Sequence, residues 1–235
     1  MSAEELKQLL DPANAEEAVR DVQQNMDSGA DILKLFTVSW IGRGKTQPMD
    51  KNVAMAAAAE AHRRGKLVFA HPSNVSGLDI ALAARVDVLA HAIEDTRGLK
   101  DSYFEQMKAA GMSMVPTVKL FDRDPYLWEV LSQVGWYARE GGQILFGTDV
   151  GFLSDYDPTP EYGLMSRAGL TPMQILASLT TAPAARFSES NRRGRIAPGM
   201  DADMVALIGD PAMDVKAFAN VRYTLLNGTI VYRAH

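Results

Sequence analysis

Four residues of this sequence have side chains that could do chemistry and stand at notable places in short apolar segments. His71, His91 and Asp149 each close such a segment, and Lys34 stands in the middle of another. Two neutral imidazoles and a carboxylate form a reasonable shell for a divalent metal, with zinc the default. Taken singly, each residue also fits a structural role, such as a helix cap for Asp149 or a surface-directed amine for Lys34. The metal interpretation depends on their occurring together.

The elements that must position these residues alternate between short apolar runs and amphipathic stretches of helical length. This alternation predicts parallel strands joined by helices, because parallel strands need long crossovers. In such an arrangement the residues at the carboxyl ends of the strands converge on one mouth. The predicted strands are 31–38, 67–70, 87–90, 113–118 and 143–147, and the predicted helices are 13–28, 51–64, 76–85, 101–110 and 126–139.

The C-terminal part of the sequence has a different character. A helix is predicted over residues 171–181. From residue 194 onward the sequence reads as short alternating strands, with a hairpin turn at Leu226-Asn227-Gly228-Thr229. We therefore expect two domains, an α/β domain over residues 1–190 and a small β domain over 191–235.

Composition excludes several classes of protein. The 235 residues are 47% hydrophobic and 23% charged, with a net charge of −5 and no cysteine. Disulfides, zinc fingers and thiol nucleophiles are therefore excluded, and a metal must be held by histidine or oxygen ligands. No Lys/Arg run exceeds two residues, and no apolar stretch reaches the roughly 18 residues that cross a bilayer. We expect a cytoplasmic protein that acts on a small molecule and binds neither nucleic acid nor membrane.

Several motifs together resemble one enzyme family in order and spacing. They are residues 29–35 (GADILKL), 68–71 (VFAH), 87–91 (DVLAH) and 145–149 (LFGTD), followed by 170–184 and 194–203. The set resembles the amidohydrolase superfamily, in its imidazolonepropionase-like and Xaa-Pro dipeptidase-like branch. The resemblance covers about residues 15–233. It implies a (β/α)8-barrel-type fold, here incomplete and holding strands four to eight, with the C-terminal part of a small β-sandwich domain.

The resemblance also implies a role for each of the four residues. Lys34 matches a lysine that takes up carbon dioxide as a carbamate and bridges two metals. His71 and His91 match ligands of the second metal. Asp149 matches the aspartate that binds the first metal and handles the proton of the attacking water. The implied activity is metal-dependent hydrolysis of a C–N bond in a cyclic amide or dipeptide-like substrate, with lactones and esters as further candidates. Burial of Lys34 in an apolar strand is expected to favour the neutral amine that a carbamate needs.

One feature of the family has no counterpart in the sequence, because no His-x-His pair occurs in it. On this resemblance, residue 1 lies just before the helix that precedes the fourth strand. We expect the chain to be the C-terminal part of an enzyme or a minimal descendant of one. Five strands would leave open edges, so we also expect a homo-oligomer or an N-terminal complementing chain.

Two further functions stay open at this point. The chain could be a catalytically inactive fragment or an assembly subunit, or it could be a lyase in which Lys34 forms a Schiff base with a carbonyl substrate. Two loops are candidates for binding substrate: residues 39–49, with the cations Arg43 and Lys45, and the acidic, aromatic residues 152–162.

Overall fold

The structure is a computed structural model that describes residues 12, 14–42, 45–122 and 125–234. Arg43, one of the candidate substrate-binding cations, lies outside the described residues. The chain divides into two compact units, Met1–Val115 and Pro116–His235. The predicted domain boundary between residues 190 and 191 stays a prediction.

The first unit alternates helices with strands of a parallel sheet. Its sheet strands follow the order β1, β4, β5, β6, and every neighbouring pair is parallel. This arrangement confirms the predicted strand–helix alternation. The elements are α1 (Ala15–Asp27), β1 (Ile32–Phe36), β2 (Val38–Gly42), β3 (Lys45–Pro48), α2 (Lys51–Arg63), β4 (Leu67–His71), α3 (Val75–Ala83), β5 (Val88–Ala90), α4 (Asp101–Ala109) and β6 (Ser113–Val115).

Side-chain caps and small residues explain the helices of this unit. Asn14 begins α1 by accepting a hydrogen bond from the Glu17 N–H at 2.9 Å, and Asp50 caps α2 in the same way. The alanines of α2 at positions 54, 57, 58 and 61 are almost completely buried. Because alanine side chains are short, α2 can approach its neighbours closely, and it packs against α1.

An antiparallel hairpin of β2 and β3 lies between β1 and α2. The predicted strand 31–38 is therefore too long, and the prediction of a loop at 39–49 is wrong. β1 ends where its partner β4 ends, because Phe36 lies beside His71, the last residue of β4. Thr37 is buried, and its N–H and hydroxyl both donate to the His71 carbonyl, at 3.1 and 3.0 Å. Val38 then pairs with Pro48 of β3.

The second unit combines helices with a small antiparallel sheet. β8, β9 and β10 pair in that order, with Leu226 opposite Thr229 across the predicted hairpin turn. The predicted β character of the C-terminal part is confirmed. After a 3-10 helix (Val118–Phe121), the elements are α5 (Leu127–Arg139), β7 (Gln143–Ile144), α6 (Thr159–Arg167), α7 (Pro172–Leu179), α8 (Thr181–Arg186), β8 (Met204–Leu207), a second 3-10 helix (Val215–Ala219), β9 (Val221–Leu226) and β10 (Thr229–Arg233).

Two elements of this unit differ from prediction. Strand β7 is shorter than the predicted 143–147, since the Phe146 N–H donates to the Ser178 carbonyl at 3.1 Å. The predicted loop 152–162 is a loop only as far as Pro158, because α6 begins at Thr159 and buries Glu161 and Tyr162. Both residues therefore belong to the core of this unit and are not solvated loop residues.

The architecture confirms the predicted fold class, an α/β fold of incomplete (β/α)8-barrel type with parallel strands. Among the residues that the structure describes, no helix is both long and apolar enough to cross a membrane.

Candidate functional site

Three of the predicted site residues come together at the carboxyl ends of β1, β4 and β5 in the first unit. The register places Phe36 beside His71, with 5.3 Å between the ring centroids. His91 directly follows β5, and its ring centroid lies 5.1 Å from that of His71, edge to face. The Lys34 Nζ lies 3.4 Å from the Ala90 carbonyl oxygen, at the end of β5. The strand ends thus bring two imidazoles and one amine to a common place.

The orientation of the His71 ring is fixed by a serine that the sequence interpretation missed. Ser73 is buried, and its hydroxyl donates to the Val38 carbonyl at 3.3 Å. The Ser73 oxygen also lies 2.9 Å from Nε2 of His71. Because the hydroxyl proton is directed to Val38, the hydrogen-bond network assigns the imidazole proton to Nε2 and the ring lone pair to Nδ1. A hydroxyl two residues after a strand-end histidine was the only sequence signal for this role.

The turn that carries Ser73 depends on a close approach by α3. Ser73 has a φ of +52°, and Asn74 caps α3 by accepting from the Gly77 N–H at 3.1 Å. A Cβ atom on Gly77 would lie 1.9 Å from the Pro72 carbonyl oxygen. Only glycine therefore lets the helix close onto the turn that holds His71.

His91 is held in its neutral form. The residue is 7% exposed, and burial lowers its pKa to about 4, with a smaller contribution from the positive charge of Lys34. An uncharged imidazole is the form of histidine that binds metals. The environment of His91 therefore suits a ligand better than a proton donor.

Lys34 is exposed, which contradicts the expectation that it is buried. Leu33 and Leu35 are buried on one face of β1, and Lys34 lies on the other face with the exposed Phe36. Strand side chains alternate between faces, so an apolar sequence around a lysine does not bury the lysine itself. The Lys34 ammonium lies 5.7 Å from the centroid of the Phe36 ring, within the range of a cation–π contact. Burial therefore gives no support to a neutral amine here.

Asp149 lies in the second unit, within the loop between β7 and α6. It is half-buried and has a φ of +56°. Its carbonyl accepts from the Leu153 N–H at 3.0 Å, which closes a tight turn. Asp149 therefore stands five residues beyond the short strand β7, although the sequence placed it directly after a strand.

The donors of the first-unit cluster fit a divalent metal chemically. His91 is neutral, and His71 carries its proton on the nitrogen that faces Ser73, an arrangement typical of metal-binding histidines. Within the described ranges, no group of three or more His, Asp or Glu side chains is placed to hold a metal ion. A third donor from the cluster would have to come from Lys34, whose amine becomes an oxygen donor only as a carbamate.

Comparison with known proteins gives the family. The sequence profile described as the amidohydrolase family matches residues 38–232. The chain belongs to the amidohydrolase family. The resemblance noted in the sequence is thus confirmed.

Individual relatives of this chain are distant in sequence but close in fold. Ochratoxinase of Aspergillus niger is 24% identical over 226 residues, which cover 86% of this chain and 46% of that protein. A Xaa-Pro dipeptidase with methionine bound in its active site has a TM-score of 0.83 at 22% identity, over 95% of this chain and 59% of that one. The crystal structure of A. niger ochratoxinase has a TM-score of 0.77 at 21% identity, over 94% of this chain and 55% of that one. The chain therefore spans about half to three-fifths of the length of these relatives.

Proposed function

We propose that this chain carries the strand-end ligands and the proton-transfer carboxylate of a metal-dependent hydrolase. The reaction is hydrolysis of a C–N bond in a cyclic amide or dipeptide-like substrate, with lactones and esters as further candidates. The observation that carries the proposal is the grouping of Lys34, His71 and His91 at adjacent strand ends in a member of the amidohydrolase family.

Each residue of the first-unit cluster has a separate role in this proposal. His71 and His91 would hold a divalent metal through their imidazole nitrogens, with zinc our first choice. The Lys34 ammonium would first lose a proton; the neutral amine nitrogen would then add to carbon dioxide and lose a second proton, giving a carbamate whose oxygens would be ligands. The metal, when bound, supplies Lewis acidity that lowers the pKa of water to roughly 7. Ser73 keeps the His71 ring in the required tautomer through its 2.9 Å contact.

Asp149 moves the proton in the proposed reaction. Its carboxylate takes a proton from the attacking water and then delivers it to the leaving nitrogen. An amine leaves readily only when its nitrogen is protonated, so one carboxylate serves both halves of the reaction. Asp149→Asn keeps the shape of the side chain but removes this capacity, and we expect it to lower kcat by about a hundredfold or more.

The experiment that tests the proposal is hydrolysis by zinc- and bicarbonate-loaded protein. The panel contains dipeptides ending in proline, N-acyl amino acids, cyclic amides and lactones, with products identified by mass spectrometry. We expect His91→Ala to abolish turnover and His62→Asn to retain it, since His62 is an exposed residue of α2 that pairs with Asp87. Turnover by His91→Ala equal to that of the parent would contradict the proposal.

A separate trapping experiment tests the lyase alternative. If Lys34 acts as a Schiff-base nucleophile, borohydride reduction in the presence of a carbonyl substrate would leave a covalent adduct on Lys34. The proposed hydrolase leaves no such adduct. The histidines beside Lys34 favour the metal-dependent reaction.

We also propose that the chain acts together with a second chain, either a copy of itself or an N-terminal complementing chain. Strand β1 lies at the edge of the sheet, and its residues Ile32 and Phe36 are 37% and 41% exposed. Exposed apolar edge strands promote pairing with other chains. Light scattering after size-exclusion chromatography tests this, and a monomeric mass at all concentrations would contradict self-association. Persistent absence of turnover despite bound zinc would favour a non-catalytic assembly subunit.

A further inference from the structure

A buried carboxyl group in the second unit has no role in the reaction described so far. Glu161, in the first turn of α6, has no solvent exposure. One of its oxygens accepts from the Val118 N–H at 3.0 Å and the other accepts from the Lys119 N–H at 2.6 Å. Both carboxyl oxygens are thus used to hold the start of the 3-10 helix at Val118–Phe121. The preceding residue, Thr117, has a φ of +46°, an unfavourable conformation that must be held by its surroundings.

The side chain of Lys119 in turn holds residues 149–158, the part of the loop before α6 that starts at Asp149. The Lys119 side chain is 8% exposed, and its ammonium donates to the carbonyls of Asp157 at 2.5 Å and Asp155 at 3.2 Å. The same ammonium lies 2.9 Å from the Asp155 carboxylate. A single, nearly buried cation therefore fixes the far end of the loop by three contacts.

The hydrogen bonds form a closed circuit within the second unit. The Asp155 carboxylate accepts from the Asp157 N–H at 2.9 Å, and the Asp157 carboxylate accepts from the N–H and hydroxyl of Thr159. Thr159 begins α6, and Glu161 in that helix returns to the Lys119 backbone. Displacing Lys119 would therefore release the loop and also loosen the start of the helix.

Apolar packing contributes little to holding this loop. Phe152 and Tyr156 are 80% and 82% exposed, so neither aromatic side chain anchors it. Asp149 itself has a positive φ, and its turn is closed by the bond from Leu153. The polar circuit therefore constrains the end of the loop that precedes α6.

We propose that Lys119 and Glu161 are positioning residues that hold the loop 149–158 in the conformation from which Asp149 transfers its proton. This inference rests on the proposed function of Asp149. Neither residue touches the substrate in this account. Lys119 acts on the loop directly, and Glu161 acts by fixing the backbone from which the Lys119 side chain extends.

Two measurements on the zinc-loaded protein test the inference. Hydrogen exchange followed by mass spectrometry reports the opening of peptides that cover 149–158, and steady-state kinetics separate kcat from KM. The variants are Lys119→Met, which keeps the length of the side chain without its charge, and Lys119→Arg, which restores the cation. Lys216→Met is the matched control, because Lys216 is an exposed lysine on the second 3-10 helix.

We expect Lys119→Met to speed exchange of the loop amides by about tenfold or more and to lower kcat about tenfold, with KM changed less than threefold. Lys119→Arg should restore part of the slow exchange and part of kcat. Lys216→Met should have the exchange rates and kcat of the parent. Glu161→Gln should shift exchange and kcat in the same direction as Lys119→Met, whereas its control, the exposed Glu129→Gln, should not.

Unchanged loop exchange in Lys119→Met would overturn the inference, and so would faster exchange with parental kcat. If the zinc-loaded parent hydrolyses nothing, the proposed function fails, and the exchange comparison alone decides whether Lys119 and Glu161 hold the loop.

Discussion

Glu161→Gln should change how the stability of the protein depends on pH. Burial is the largest influence on this carboxyl group and raises its pKa from 4.5 to about 7, against the opposing effect of the hydrogen bonds from Lys119 and Val118 and the Lys119 charge. The folded protein therefore holds the Glu161 proton more tightly than the unfolded chain does. The resulting stabilisation is complete below pH 4.5 and is lost as the pH rises through 7.

The magnitude follows from the two pKa values. Linkage between 4.5 and about 7 gives a loss of about 2.5 kcal/mol in the free energy of unfolding from pH 5 to pH 8. Glutamine cannot titrate, so this contribution disappears in the variant. The other titrating groups are shared by variant and parent and cancel in the difference between them.

The assay is urea unfolding of parent and variant at pH 5, 6, 7 and 8, followed by circular dichroism. We expect the free energy of unfolding of the variant, relative to that of the parent, to rise by about 2.5 kcal/mol from pH 5 to pH 8. Glu129→Gln serves as the control at an exposed position on α5. A difference between Glu161→Gln and parent that stays constant from pH 5 to pH 8 would refute the reasoning.

Three further predictions concern residues of the first unit, and Gly163 of the second unit is the control for one of them. Gly77→Ala should weaken zinc binding and cost about 1–3 kcal/mol of stability, because the added Cβ would lie 1.9 Å from the Pro72 carbonyl oxygen. Gly163→Ala is the control: its Cβ would meet nothing within 4 Å, so this variant should be neutral or stabilising. Ser73→Ala should reduce zinc affinity about tenfold or more in calorimetric titration, since His71 loses the hydroxyl that orients it; unchanged affinity would contradict this. Glu60→Gln should lower the urea midpoint at pH 7 more than at pH 3. Hydrogen bonds from Arg63 and Arg64 lower the pKa of Glu60 to about 2. The stabilisation that Glu60 gives the folded protein is therefore present above pH 4.5 and is lost as the pH falls toward 2. An equal loss at both pH values would argue against it.

The convergence of His71 and His91 could be predicted from sequence because it needs only local information. Apolar segments of strand length, each followed by a histidine and separated by a helix, specify parallel strands with both histidines at the same edge. The family resemblance followed from the same segments. The lengths of these segments were less certain, because β1 ends where its partner β4 ends, and that pairing joins residues far apart in the sequence.

The features that sequence did not reveal depend on contacts between distant residues. Glu161 binds backbone groups more than forty positions earlier in the chain, and nothing in the residues around it marks it as buried. The exposure of Lys34 follows from strand alternation, yet the sequence does not say which face of β1 is covered. Between β2 and β3 the sequence has no Asn-Gly or Asp-Gly pair that would mark a hairpin, and residues 43 and 44 lie outside the described residues.

Zinc content per chain tests the central claim most directly. Protein purified without chelator or affinity tag is incubated with zinc and bicarbonate, dialysed and analysed by plasma mass spectrometry, alongside His91→Ala. The account predicts near-stoichiometric zinc in the parent and little in the variant, because it proposes His91, whose burial keeps it neutral, as a ligand. No zinc in the parent, or equal zinc in parent and variant, would contradict it.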